Sequence, residues 1–510
     1  MSKGVSLWKL WNTWDVRCVN SIVFLPLAFE LRVATFCPDA REYIAEYRRH
    51  GVRLGAHSPD CTVASLQLEH RGNKIGVRFG KPDPYIVVGE VEALDVEDGF
   101  SVVLETLNVW NGNGVLSYDP TRNIVSSLYP DKDMVVVASF SRTPSYIGVY
   151  PDEQSVRVDL ETKGHVSSVP REGSVVALQY PLKKGESIYF VAAVAETIEL
   201  AMKNFKEFLP RVREVLDKVS EEYDRRRVKV IGGEFDESAQ AVIDAISWNT
   251  VWDPRNNRVY TPVSRVWAVS EFWNGYVLFE WDTFFNALLA SIEDCEIAEA
   301  NIKAILSEML PRGVVPNYAS APSKYRRTGA SADRAQPPVA SYLVWKVYLR
   351  CRDLSLLRWA YPYLKRFHEW WFKARDGNGD GLLEWGSDPI GTDPSRHTLQ
   401  AAKFESGLDN SPMYDEATFV KDKNVMNLAD VGLNSLYALD ALALAMIARE
   451  LGLDEDAERF LREYEEMKKR INAVLWCEEE GLYLNKFWDG RFSKRKSPAC
   501  FYPLIAKVPD

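Results

Sequence analysis

ADVGLNSLYALDALALAMIARELG, residues 429–452, places apolar side chains three and four apart throughout, the period of an α-helix rather than a strand. Its alanines allow close approach on every side, so it reads as an inner helix. Gly452 stops it and Asp454 starts the next, the usual punctuation at helix ends. The helix that follows, DAERFLREYEEMKKRINAVLW (456–476), is heavily charged and reads as an outer one. Working backwards, AQAVIDAISWNTVW, WDTFFNALLASIED, IAEANIKAILSEML, PVASYLVWKVYLRC and DLSLLRWAYPYLKRFHEWWFKA carry the same period from Glu237 onward. Inner and outer helices joined by long aromatic and polar loops predict an (α/α)6 toroid, since a simple bundle uses short connections.

Before residue 195 the pattern is different. DMVVVASFS (133–141) and SIYFVAAVA (187–195) read as buried strands, and SVRVDLE (155–161) alternates Val156, Val158 and Leu160 with polar partners. Turn signals recur at 110–114, 129–133 and 183–186. Many short strands predict an antiparallel β-sandwich over 1–195. A charged helical stretch at 197–226, broken at Pro210, predicts two bridging helices in a linker over 196–232. The toroid then occupies 233–510, so the chain is multidomain.

Composition narrows the partners. A net charge of −10 argues against nucleic acid and against an anionic membrane. Seven scattered cysteines without CxxC pairs argue against a disulfide framework and a structural zinc site. No run reaches eighteen apolar residues, and MSKGVSLWKLWNTWD lacks a signal-peptide core, so the expectation is a cytoplasmic protein. Sixteen Trp and 23 Tyr suit sugar rings, and equally suit large cores.

The loops carry the acids. ESGLDNSP (405–412) sets Glu405 and Asp409 four apart in a stretch too rich in Gly, Asn and Pro for a stable helix. It reads either as a turn that caps a neighbour or as a catalytic loop. Asp282 in FEWDTFF (279–285) fits a helix N-cap or a site acid, and Asp388 ends WGSD. The chain has no serine elbow, HExxH or phosphate-binding glycine loop. Paired carboxylates are the hydrolytic chemistry left, with Trp273, Trp281, Trp385 and Tyr414 beside them.

SRVWAV (264–269), GYVLFEWDTFF (275–285), GVVPN (313–317), AQPPVASY (335–342), DGNGDGLLEWGSD (376–388), ESGLDNSPMYD (405–415) and SPACFYPL (497–504) follow one another in order. Together they resemble glycoside hydrolase family 63. That resemblance implies an inverting, exo-acting α-glycosidase without an organic cofactor, acting on an α-glucoside or α-mannoside such as an oligosaccharide, mannosylglycerate or glucosylglycerate. It implies Asp409 as general acid and Trp281 and Asp282 lining the sugar site. Asn317, Gln336, Trp385, Glu405 and the backbone at Gly407 are implied neighbours. Gln336 also reads simply as a loop residue before two prolines, and Glu405 as a brace or as a charge raising the pKa of Asp409. Debranching or trehalase-like activity on the same fold is the alternative, and a catalytically silent sugar-binding fragment another.

DGNGDGLLE (376–384) resembles the front of a calcium loop, with Asp376, Asn378, Asp380, the Leu382 carbonyl and Glu384 as ligands. A structural Ca²⁺ is the expectation and a solvated turn the alternative. A full ring of six hairpins needs more helices than the roughly seven legible before SPACFYPLIAKVPD (497–510) ends the chain. The family's general base lies beyond that point, and no glutamate follows Tyr502. The expectation is an incomplete toroid, inactive or nearly so alone, with exposed flanks on 430–451 and a separately encoded C-terminal segment as partner.

Overall fold

The computed structural model describes residues 10–168, 172–227, 236–269, 273, 277–320, 329–390 and 395–509. Residues 228–232 of the expected linker, 275–276 before the Asp282 helix, and 321–328 and 391–394 of the long loops lie outside them. The chain divides into two compact units, Met1–Pro254 and Arg255–Asp510.

The first unit is built on two antiparallel sheets of seven and nine strands. In the smaller sheet, Phe29–Cys37 and Ser101–Asn108 pair at the centre. In the larger, Met134–Phe140 pairs with Ser187–Ala195. Val136 and Ala138 face a core shared with Leu31, Leu104 and Leu178 of the smaller sheet. Val135 and Val137 face the other way, onto Ala201, Phe205, Val212 and Leu216. Burial on both faces is why this strand reads as a continuous apolar run.

Helix α1 is Glu153–Lys163, α2 Ile198–Phe208, α3 Val212–Arg226 and α4 Asp236–Asn249. The strand expected at 155–161 is therefore a helix. Asp152 caps it by accepting from the Ser155 amide, and Gly164 closes it at φ 85°. Val156 and Leu160, four apart, are buried, whereas Val158 is 48% exposed. That is a helical stripe in a segment whose alternation imitates a strand. Pro210 does separate α2 from α3. These helices cover the larger sheet rather than bridging out from it. Helix α4, expected as the first of the toroid, falls in this unit as well. Trp248 joins the sandwich core and donates to the Gly55 carbonyl at 2.7 Å. The boundary consequently lies at Pro254 rather than 232.

The second unit contains α5 (Glu280–Ala290), α6 (Cys295–Leu306), α7 (Ala340–Cys351), α8 (Leu354–Arg375), α9 (Leu399–Glu405), α10 (Val431–Glu450), α11 (Asp454–Leu475) and α12 (Tyr502–Ile505). The pairs α5/α6, α7/α8 and α10/α11 are helical hairpins. Helices α5, α7, α10 and α12 neighbour one another in chain order as an inner row, and α6 packs on α8 outside it. This is toroidal packing. Helix α10 is long and apolar enough to cross a membrane, yet it is a core helix, buried at sixteen of its twenty residues. Its flanks are not exposed as expected. Exposed large apolar side chains of this unit include Phe285 and Leu289 on α5, Leu349 on α7, Phe372 on α8, and Phe501, Leu504 and Ile505 around α12.

Cys295 and Cys351 form a disulfide with Cα atoms 5.7 Å apart. It ties the start of α6 to the end of α7, a single bridge rather than a framework. The other five cysteines are free and buried.

Candidate active site

The site grows from the C-terminal end of α8. Arg375, fully buried, reaches the fully buried Glu405 at the end of α9 with Nε 2.6 Å from Oε2 and Nη2 2.8 Å from Oε1. The backbone amides of Ala335 and Gly386 donate to the same carboxylate at 3.0 and 2.6 Å. Burial pushes this carboxyl up, while the guanidinium and the two amides pull it back. Each oxygen of Glu405 accepts twice, which leaves it no capacity to bind sugar or activate water. The expected substrate contact is therefore corrected: Glu405 is a brace.

Arg375 also donates to Asp388 at 2.9 Å, and Arg312 pairs with the other oxygen of that carboxylate. Against burial, these two cations hold Asp388 below the usual carboxylate range. It too is structural.

The brace fixes the turn that follows α9. Gly407 sits at φ +67°, and a Cβ there would come within 2.5 Å of the Trp281 indole. Only glycine accepts both the backbone angle and the approach. Asp409 lies two residues on, exposed in the turn. Partial burial still lifts its carboxyl above the ordinary value, against the pull of Arg334.

Opposite stands the first turn of α5. Phe279 rather than Asp282 is the N-cap, so capping does not account for the aspartate. Burial pushes Asp282 up to about 6, against hydrogen bonds from Gln336 and Trp281, and the charge of Asp409 pushes the same way. Gln336 accepts from the Trp281 amide at 3.2 Å through Oε1. The two acids of the sequence reading thus share one field. Trp281 is half-buried, its indole against Gly407.

The other expected neighbours lie deeper. Asn317 is buried: its side-chain amide donates to the Phe404 carbonyl at 3.0 Å, and its own carbonyl accepts from the Glu280 amide at 3.1 Å. It positions α9 against α5. Trp385 is 2% exposed and packs edge-on to Trp371, a core residue rather than a sugar platform. Tyr414 is fully buried and donates to Asp430.

The expected calcium ligands form a different structure. Asp376 accepts from the amides of Gly379 and Gly381, Asp380 from the amide of Leu382, and Asn378 donates to Asp380. Glu384 accepts from the Gly377 amide and the Trp488 indole, and burial pushes it up to about 8. Leu382 is buried. The oxygens of Asp376, Asp380 and Glu384 are not gathered within the 4.8 Å that a shared ion needs. The loop is a set of side-chain turns, and as arranged it does not fit calcium.

Two residues escaped the sequence reading. Arg375 was signalled only by its place just before DGNGD. Glu280 stands two before Asp282; it is fully buried with neither carboxyl oxygen hydrogen-bonded, and burial, then the Asp282 and Asp440 charges, raise it far above the ordinary value.

Helical hairpins with an inner row define a toroid-type helical domain, and its loops bring two elevated carboxyls to one place beside a tryptophan. Residues 275–510 match the model of the mannosylglycerate hydrolase MGH1-like glycoside hydrolase domain. Mannosylglycerate hydrolase MGH1 of Selaginella moellendorffii is 29% identical over 157 residues, 27% of this chain and 28% of that protein. The trehalase of Arabidopsis thaliana is 26% identical over 225 residues, 37% of this chain and 36% of that protein. Each alignment spans about a third of the curated relative. A bacterial glucoamylase solved with acarbose shares the fold at TM-score 0.51 and 10% identity, over 93% of this chain and 69% of that one.

Proposed function

We propose that residues 255–510 carry the acid side of an inverting, exo-acting α-glycosidase for an α-glucoside or α-mannoside, such as mannosylglycerate or glucosylglycerate. The observation that carries this reading is the pairing of Asp409 with Asp282 in one electrostatic field beside Trp281. Asp409, exposed with its pKa lifted, gives its proton to the leaving glycosidic oxygen. Asp282, ionised above about 6, accepts hydrogen bonds from sugar hydroxyls, and the half-buried Trp281 offers its apolar face to the ring. Inversion also needs a carboxylate roughly 6.5–9.5 Å from the acid to activate water. Glu405 cannot be that group.

The test is sugar release from a panel of α-glucosides, α-mannosides, mannosylglycerate, glucosylglycerate and trehalose, by the wild-type chain and by Asp409→Asn. Loss of a general acid costs about 10²–10⁴-fold. Release that survives Asp409→Asn would remove that residue from the role. A wild-type chain that binds the sugar without turnover would place the base outside residues 255–510. Preference for trehalose would favour the trehalase-like reading.

A further inference from the structure

The groove between α8 and α11 takes no part in the chemistry above. Helix α10 packs against both and supplies its floor, and the space is a cavity of about 580 Å³. That lies within the ~300–1,000 Å³ of small-molecule sites. Helix α8 turns one face toward it, with His368, Glu369, Phe372 and Lys373. The amphipathic α11 answers with Arg459, Glu463, Glu466 and Arg470. At one end the Arg470 guanidinium donates to the Asp380 carbonyl at 2.6 Å and covers Gly381, where a Cβ would collide with it.

The charges of this wall balance. His368 is 1% exposed and stacks on Tyr437 with ring centroids 4.3 Å apart. Its Nδ1 lies 2.8 Å from Asp440 and its Nε2 3.3 Å from Glu463. Carboxylates only accept, so the ring carries both protons and is a cation. Asp440 matches it. The three glutamates of the wall are matched by Lys373, Arg459 and Arg470. The lining therefore has no net charge with which to draw in an ion.

What the wall leaves unused is polar and of both kinds. Lys373 and Glu466, on opposite sides, make no hydrogen bond or ion pair among the described residues. Arg459 spans the groove to Glu369 at 3.3 Å. Its Nη2 is buried without a hydrogen bond, 3.6 Å from Asp456. Phe372, 37% exposed, leans on Tyr437 at 5.8 Å between ring centroids and keeps an apolar surface open to the groove. An exposed ring, free donors and acceptors, and no net charge together suit a pyranose. Its C–H face packs on the aromatic ring, and its hydroxyls both give and accept hydrogen bonds.

We propose that the α8–α11 groove is a second carbohydrate site, which holds a short neutral oligosaccharide on the outer side of the helical unit. Phe372 carries the sugar ring, Lys373 and Arg459 donate to its hydroxyls, and Glu466 accepts from them. A phosphate or other anion would meet the three glutamates, and a metal ion would meet carboxylates already opposed by cations. None of these residues belongs to the Asp282–Asp409 site, so the assignment stands or falls apart from that reading.

The test is calorimetric titration, with maltotriose and then α-mannotriose, of the full chain carrying Asp282→Asn and Asp409→Asn. These substitutions remove turnover and the acids of the other site. The expected result is saturable one-to-one binding of at least one trisaccharide, with an affinity unchanged between about 0.05 and 0.5 M salt, since no ion pair forms with the ligand. Adding Phe372→Ala or Glu466→Ala, both at exposed positions, should weaken it about fivefold or more. No binding of either sugar, binding that both added substitutions leave intact, or binding that collapses with salt would overturn the proposal. So would saturable binding of inorganic phosphate in place of the sugars.

Discussion

Arg375 holds Glu405 through two parallel hydrogen bonds of 2.6 and 2.8 Å, with both side chains fully buried. Removing the cation would leave a buried carboxylate supported only by the amides of Ala335 and Gly386. Arg375→Ala should therefore destabilise the chain by about 3–5 kcal/mol. Denaturant unfolding measures it. A change under about 1 kcal/mol would mean that Glu405 reaches solvent and that its role as a brace is wrong.

Asp282 links stability to pH. Its folded-state pKa of about 6 lies above the ordinary 3.8. The folded state thus holds the proton more tightly, and the associated stability is full below about 3.8, declines as pH rises, and is gone above about 6. Asp282→Asn removes the cost of ionising a buried acid. The variant should gain up to about 3 kcal/mol at neutral pH relative to wild type, with the gain shrinking toward pH 4. Unfolding curves at several pH values measure this, and a pH-independent difference would contradict it.

The Cys295–Cys351 bridge closes a loop with a sequence separation of 56. Chain-entropy arguments assign such a closure up to about 4 kcal/mol. Reduction, or Cys351→Ser, should lower the melting temperature. An unchanged melting curve would show that the two thiols are not joined.

The helices of the second unit were readable because each carries a buried stripe of period 3.6, and α10 is buried nearly all round. The stripe on α4 was just as readable, but periodicity does not say what a helix packs against, and Trp248 packs in the sandwich. In α1, three apolar residues at every second position matched both periods, and only the exposure of Val158 separates them. Asp282, Gln336, Gly407 and Asp409 were found by motif. The role of Glu405 was not legible, because it depends on an arginine thirty residues away brought close by the α8–α9 connection. The disulfide was hidden for the same reason: 56 positions of sequence separate two cysteines that the hairpins bring together.

The most direct test of the paired-acid site is calorimetric titration of the chain with a cationic iminosugar of gluco- or manno-configuration. A protonated ring nitrogen between Asp282 and Asp409 imitates the positive charge that develops at the sugar during cleavage. The expected result is saturable binding that strengthens as pH rises through about 6, where Asp282 ionises, and that is lost in both Asp282→Asn and Asp409→Asn. Binding that ignores either substitution, or no binding to the folded wild-type chain at any pH, would contradict the assignment.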